Sequence, residues 1–401
     1  MRIGVDLRSL EGGAQHRGIG RYVTELLHAL SKIDTKNEYV FFLSHHTSKA
    51  PKLALADTLA HSFQHGRGQG LRGVKYVRII FITPRPLAID RYKLDVFFHV
   101  DIQQPIRART TPVVSVVYDL IPYIYEDLYQ HVHLGGYTPG HLIGYSRMRI
   151  KWRVQKRWLQ NYRNDARIIS ISEHTKKDLL KFLPGLTPKK IVSIPLAAGS
   201  LPAVNKAAKA SMAKLKLKDF FFYVGGADPR KGLVDLARSF EEVWQEFPDA
   251  QLVLAGKEVT RSDVPEAVKL TQVVSKLSRP EQVFLLGFIS DEELAWLYHN
   301  AKAFVFPSRY EGFGLPVLEA MQAGCPVITY DNSSLPEVAA GSAVTLPDGS
   351  SMVPAMCDIL RNGRLREQLI KKGYSQARQF TWQRTAEETL SVLEAAAKEG
   401  A

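Results

Sequence analysis

Ala303-Phe304-Val305-Phe306-Pro307-Ser308-Arg309-Tyr310-Glu311-Gly312-Phe313-Gly314-Leu315-Pro316-Val317-Leu318-Glu319-Ala320-Met321 holds one unit of a parallel α/β sheet. Residues 303–306 form a short apolar run of the kind found in a buried strand. Glycines at 312 and 314 let the backbone approach a ligand with no Cβ in the way. Pro316 suits the first turn of a helix. The N–H groups at that helix start, together with the helix dipole, favour an anion, so Gly312, Phe313, Gly314 and Leu315 are read as ligand-facing. Glu319 falls about one turn inside the helix, where its carboxylate can accept hydrogen bonds from two neighbouring hydroxyls, as a ribose or sugar diol offers. Glu311 sits on the loop, where it can face a reacting group.

The same alternation runs along the chain, with short β-branched or aromatic runs separating longer amphipathic ones. Strands are expected at Ile3–Leu7, Tyr39–Leu43, Val96–Val100, Val113–Tyr118 and Arg167–Ile171. A first helix is expected to follow Gly18-Ile19-Gly20 and to run to about Leu30, and Ser172 is placed to cap another. The composition shifts at Pro195–Lys218, which carries prolines, small residues and five lysines between 206 and 218; this reads as a linker with its lead-in. A second series follows, with strands at Phe220–Val224, Gln251–Ala255, Val283–Leu286, Ala303–Phe306 and Val327–Tyr330. Helices are expected at Leu233–Phe247 and Glu292–Asn300, with Ser290 and Glu293 as a capping box. Arg364–Lys398 reads as helical except near Thr381-Trp382. The expected domains are 1–196, 197–380, and a C-terminal helix at 381–401 that crosses back to the first domain.

A chain of 401 residues exceeds the roughly 250–300 at which a single core stops growing, so two domains are the default. The 45% hydrophobic and 23% charged residues match soluble globular proteins, which gives each domain a core to bury. Cys325 and Cys357 are the two cysteines, too few for a disulfide framework, and a reducing compartment fits. Residues 1–6 hold no apolar run of signal-peptide length, and no stretch nears the ~18 apolar residues of a membrane span. A cytoplasmic location is expected, with peripheral contact at the inner face of the cell membrane left open. The twelve histidines show no metal spacing, and no metal is assigned. The formal net charge of +13 points to anionic partners.

Two further segments carry chemistry. Gly225-Gly226-Ala227-Asp228-Pro229-Arg230-Lys231-Gly232 joins a strand to a helix at the carboxyl edge of the second sheet, where ligands of α/β sheets gather. Arg230 can fork onto phosphate oxygens and Lys231 supplies a point charge, so the pair suits an anionic group at that edge. Asp119, at the end of the strand that starts at Val113, is a candidate for an acceptor hydroxyl; a strand-end turn cap is the alternative. Gly18 and Gly20 can serve a phosphate or simply the packing of the first helix, and they lack the full dinucleotide fingerprint.

Glu311-Gly-Phe-Gly-Leu-Pro-x-x-Glu319-Ala-Met-x-x-Gly324-x-Pro326-Val327 resembles the E-x7-E motif of family 4 glycosyltransferases, a GT-B group. The similarity includes Gly18-Ile-Gly-Arg-Tyr22, Tyr118-Asp-Leu-Ile-Pro122, Ser170-Ile-Ser-Glu173, Val224-Gly-Gly-x-x-x-Arg-Lys-Gly232 and Leu286-Gly-Phe-Ile-Ser-Asp-Glu-Glu-Leu294, and leans towards the mannosyltransferase-like branch. The resemblance implies two Rossmann-like domains facing each other across a cleft, retention of configuration and no metal. The donor, GDP-mannose or another nucleotide diphosphate sugar, is a substrate, and no cofactor is implied. Glu311, Arg230, Lys231 and Asp119 are the implied catalytic residues. Gly18, Gly20, Gly225, Gly226, Gly312, Phe313, Gly314, Leu315 and Glu319 are implied to bind the donor, with Phe288 and Ile289 flanking its base. The family often places His before the acidic residue at 119; here it is Tyr118, which cannot take up a proton near neutrality as His does. A UDP-sugar transferase, a sugar-nucleotide epimerase or phosphorylase of the same fold, and a non-catalytic binding protein are the alternatives.

Tyr145–Arg167 holds eight Lys/Arg and one acid, Asp165. At ~100° per residue, Arg149, Arg153, Lys156, Arg157, Arg163 and Arg167 share a third of a helix circumference, while Met148, Trp152, Leu159 and Tyr162 lie elsewhere. Such a helix suits anionic lipid, which would serve a lipid-linked acceptor, or equally packs on its own domain with a solvated basic face. With no reader motif beside it, nucleic acid is not expected as a partner. The implied partners are thus a nucleotide-sugar donor and a glycan or lipid-linked acceptor.

Overall fold

The structure, a computed structural model, describes residues 1–8, 18–44, 77–82, 87–100, 106–125 and 159–400. They form two compact units, one of Met1–Leu196 with Thr381–Ala401 and one of Ala197–Phe380.

The first unit contains β1 (Arg2–Asp6), β2 (Glu38–Ser44), β3 (Val77–Ile82), β4 (Leu87–Ala88), β5 (Val96–His99), β6 (Ile106–Arg107), β7 (Val113–Val117), β8 (Arg167–Ser170) and β9 (Ile191–Ser193). Seven make a parallel sheet in the order β3-β2-β1-β5-β7-β8-β9, and β4 pairs with β6 apart from it. Every residue of β5 and β7 is buried, the pattern of strands covered on both faces. The helix Gly18–Ile33 buries Tyr22, Val23, Leu26, Leu27 and Leu30, the face its 3.6-residue spacing specifies. The last helix, Trp382–Glu399, packs on that helix and on β5, β7 and β8. Thr381 caps it by accepting from the Arg384 N–H, and the Thr385 hydroxyl donates to the Pro195 carbonyl at 2.9 Å.

The second unit contains β10 (Phe220–Val224), β11 (Gln251–Ala255), β12 (Val283–Leu286), β13 (Ala303–Phe306), β14 (Val327–Tyr330) and β15 (Val344–Leu346). They lie parallel in the order β12-β11-β10-β13-β14-β15. Counted within the unit this is 3-2-1-4-5-6, the order of a dinucleotide-type sheet, whose direction of winding reverses between its first and fourth strands. The capping box at Ser290 and Glu293 starts the helix Asp291–Asn300.

Three expectations are corrected. The stretch read as a linker contains the helix Lys206–Ala213, capped by Asn205 and burying Ala208 and Met212, because its alanines favour helix. Gly18 and Gly20 do not precede the first helix but form its first turn. The basic helix ends before Arg167. Residues 145–158 lie outside the described residues. Beyond them Leu159 and Tyr162 are buried in a cluster with Val117, Leu120 and Ile168. A 3-10 turn at Tyr162–Asn164 is then stopped by extended backbone at Asp165. Arg167 opens β8, and its guanidinium pairs with Glu399 of the last helix.

Asp165 is buried, and desolvation pushes its carboxyl up to about 7 against a hydrogen bond from Ser115 and the charge of Lys190. A carboxyl whose folded pKa is raised makes the native state bind more protons than the unfolded chain between about pH 4 and 7, so stability falls as pH rises through that window. Between pH 5 and 8 this residue should cost the wild type at least about 1 kcal/mol. Urea unfolding at both pH values checks this: Asp165→Asn should lose that part of the slope, and identical slopes in the two proteins would refute the assignment.

Candidate functional site

The reversal point of the second sheet lies between β10 and β13, and the loops leaving the carboxyl ends of these two neighbours form the site. They approach closely. Gly232 has φ +68°, and a Cβ there would stand 2.7 Å from the Pro307 carbonyl oxygen, so the position takes glycine. The Arg309 N–H donates to the Arg230 carbonyl at 2.9 Å. Pro229–Lys231 form a 3-10 turn capped by Asp228, whose carboxylate accepts from the Arg230 N–H at 3.0 Å.

This turn aims two cations at one carboxylate. The Lys231 ammonium donates to Glu311 Oε1, and Arg230 Nη1 lies 3.4 Å from the same oxygen while donating to the Tyr310 carbonyl. The Ser308 hydroxyl donates to it as well. The three charged side chains are 10–13% exposed. The backbone of Glu311 is held too: its N–H donates to Ser333 Oγ at 3.0 Å, and its carbonyl accepts from Ser334 Oγ at 2.9 Å. The loop after β14 thus clamps the loop after β13.

The charges within the cluster are not equivalent. Burial alone would push the Glu311 carboxyl up, but Lys231 and Arg230, with hydrogen bonds from Lys231 and Ser308, hold it below the usual carboxylate range. Burial pushes Lys231 down, and Arg230 adds to this against the pull of Glu311. Arg230 therefore keeps Glu311 anionic while loosening the proton on Lys231. The Lys231 ammonium also lies over the Phe306 ring, 5.0 Å from its centroid, a further fixed contact for the cation. The result is a rigid, dry pair of cations at the end of a parallel sheet, suited to the oxygens of a phosphate group.

Around it the remaining residues expected on the donor side take distinct positions. Gly314 has φ +104° and caps the helix Leu315–Gln322, with Pro316 in its first turn. Phe313 is buried edge-on against Phe380, 5.8 Å between centroids, so its backbone, not its ring, is what Gly312–Leu315 can offer a ligand. Glu319 is buried in the body of that helix, and Tyr298 Oη lies 3.4 Å from its carboxylate. Gly225 and Gly226 follow β10, where the Tyr223 hydroxyl donates to the Gly226 carbonyl at 3.2 Å and Glu258 fills the space a Cβ on Gly226 would need. At the end of β12, Gly287 leads into Phe288, which is 79% exposed, and Ile289, half-buried.

In the first unit Asp119 follows β7, half-buried, and its carboxylate accepts the Ile121 N–H at 2.9 Å. That bond is the turn cap named as its alternative role. Tyr118 stands edge-on to Tyr22, 5.4 Å between centroids, and Tyr22 in turn packs against Trp382. Gly20 is buried and Gly18 exposed in the first helical turn. Sequence reasoning did not find Ser308, Ser333, Ser334, Tyr298 and Glu258. For Ser333 and Ser334 the one available signal was the Asn332-Ser333-Ser334 turn after an apolar strand.

Residues 205–376 match the family of group 1 glycosyl transferases. O-antigen chain mannosyltransferase B of Escherichia coli is 30% identical over a stretch covering 56% of this chain and 59% of that protein. The serotype-specific mannosyltransferase WbdA of Escherichia coli is 24% identical, covering 96% of this chain and 47% of that one. The chain thus spans about half the length of these curated relatives. Among solved structures, Anabaena HepE in complex with UDP-glucose matches with a TM-score of 0.68 at 13% identity, over 98% of this chain and 100% of that one. Sucrose-phosphate synthase from Thermosynechococcus elongatus matches with 0.65 at 18% identity, over 98% of each. At such identities the likeness establishes the fold, which is GT-B.

The cluster predicts its own energetics. Glu311→Gln leaves two buried cations facing a neutral amide and should cost about 3 kcal/mol of stability. Glu311→Gln combined with Lys231→Met removes one of those cations and should recover part of the loss. Denaturant unfolding of the four proteins gives the coupling; strict additivity would show that the ion pair has no such role.

Proposed function

We propose that this chain, which belongs to the group 1 glycosyltransferases through residues 205–376, moves a hexosyl group from a nucleotide diphosphate sugar to a hydroxyl of a glycan or lipid-linked acceptor, with retention of configuration. GDP-mannose is the donor we favour, a choice supported by the mannosyltransferase names of its relatives; UDP-sugars come second. The observation that carries the reading is the buried pair Arg230–Lys231, fixed against the Glu311 loop at the reversal point of the sheet.

In this reading the diphosphate accepts hydrogen bonds from Arg230 and Lys231, and Glu311 turns from pairing with these cations to orienting the donor sugar. Backbone at Gly225, Gly226 and 312–315 lies along the diphosphate. Glu319 holds the ribose diol, its carboxylate positioned by Tyr298, and Phe288 and Ile289 flank the base. Asp119 binds the acceptor hydroxyl. As the bond from the anomeric carbon to the phosphate oxygen breaks, the acceptor oxygen bonds to that carbon from the same face and its proton passes to the leaving phosphate. The two cations stabilise the charge that grows there. The chemistry calls on no divalent ion. The site works at the cytoplasmic face of the membrane if the acceptor is lipid-linked, where residues 145–158 would supply basic charge.

A panel of GDP- and UDP-sugars, scored for nucleotide diphosphate release and for a product of retained anomeric configuration by NMR, tests this. GDP-mannose should be turned over fastest, and Lys231→Ala should lower turnover by about a hundredfold or more. Release of a free epimerised sugar without transfer, or full activity in Lys231→Ala, would sink the reading.

A further inference from the structure

A cavity of about 650 Å³ lies in the first unit, at the amino-terminal edge of its sheet. Its lining includes Val113 and Arg167, which open β7 and β8, and Lys190, which immediately precedes β9. Asp119 leaves the other end of β7, and a five-residue strand spans about 16 Å at 3.3 Å per residue. The cavity is therefore separate from the catalytic candidates of that unit, and its size lies within the about 300–1,000 Å³ of small-ligand sites.

Its walls are fixed. On one side the Asp90 carboxylate accepts the successive N–H groups of Arg109, Thr110 and Thr111, and also the Thr110 hydroxyl. Burial pushes the Asp90 carboxyl up, yet hydrogen bonds from this turn draw it down to about 2, so at neutral pH it is an ionised acceptor for the turn bearing the threonines. On another side Lys190 donates to the carbonyls of Arg163 and Asp165 at 3.1 and 3.0 Å, which holds the turn carrying Asn161 and Asn164. Arg167 is paired with Glu399 at the third. The floor reaches buried Ser115 and Asp165.

This chemistry suits hydroxyl groups better than an anion. Of the three Lys/Arg in the lining, Lys190 and Arg167 already have fixed partners, which leaves Arg109 beside the acidic residues Asp165 and Glu399. Alternating amides, hydroxyls and a carboxyl offer donors and acceptors in turn, as a polyol requires, and a preorganised wall lowers the cost of binding. We propose that this cavity is a second, non-catalytic site that holds a segment of a neutral glycan; the choice of a carbohydrate among hydroxyl-rich ligands rests on the transferase reading.

The test uses the full chain and needs no turnover. Mannotriose, maltotriose and triacetylchitotriose are titrated by saturation-transfer NMR with GDP present. At least one should bind the wild type, and Asn161→Ala with Asn164→Ala, both exposed, should weaken it at least about tenfold through lost hydrogen bonds. Asp165→Asn should weaken it as well; should that variant not fold, the asparagine pair decides. Nucleotide diphosphate release with a short acceptor should stay within about twofold in the asparagine variant, which separates this site from the catalytic one. Failure of all three trisaccharides to bind, binding indifferent to these substitutions, or displacement of the sugar by inorganic phosphate would each overturn the proposal. A chain with no transferase activity that still binds a trisaccharide here would overturn the catalytic reading alone.

Discussion

Two cations and one carboxylate, buried together where β10 and β13 part, set what the second unit has to be. Removing charges from water is expensive, and an ion pair offsets this only with close geometry and further hydrogen bonds. The loops around Arg230, Lys231 and Glu311 supply both. Gly232 allows the turn after β10 to touch Pro307, and Ser308, Ser333 and Ser334 anchor the side chain and backbone of Glu311. The parallel sheet places those loops side by side, so the strand order and the electrostatics are one constraint seen at two scales.

Such an arrangement is preorganised for an anionic group. In a bulk-water site, cations must reorient and shed water as charge develops. Here they are held by neighbours that do not depend on the ligand: the Tyr310 carbonyl for Arg230 and the Phe306 ring for Lys231. The helix Leu315–Gln322 starts from the same loop and carries Glu319 on its buried side, backed by Tyr298 from the preceding helix. One stretch of nineteen residues, from Ala303 to Met321, therefore brings together sheet edge, charge cluster and a buried helix carboxylate.

Much of this could be read from the amino-acid sequence, for a physical reason. The strands β10 to β14 are apolar runs of four or five residues with sharp ends, and they fall on the expected residues. The edge strands β9 and β15 are three residues each, too short for a periodic signal, and neither was expected. The alanine-rich helix at 206–213 was hidden by lysines and flanking prolines that suggest a linker. In the site, Glu311 and Arg230 each stood out from local context, but no local pattern states that residues eighty apart share a proton-bearing cluster. The serines that clamp Glu311 carry even less signal, since serine is common in every loop. Arg167 shows the opposite failure: helical periodicity was extended through Asp165, where the backbone is extended.

The last helix has a further consequence, for the order of events during synthesis. Residues 381–401 belong to the first compact unit, and Trp382–Glu399 covers its first helix and three of its strands. A ribosome makes the whole of the second unit before that cover exists. At ordinary elongation rates the first unit waits roughly ten to forty seconds for its final piece, with an apolar face on Gly18–Ile33 still open. The second unit is contiguous and can close on its own as it emerges. The part of the chain made first is thus the part completed last, and the nascent protein is most exposed to chaperones and to aggregation in that interval.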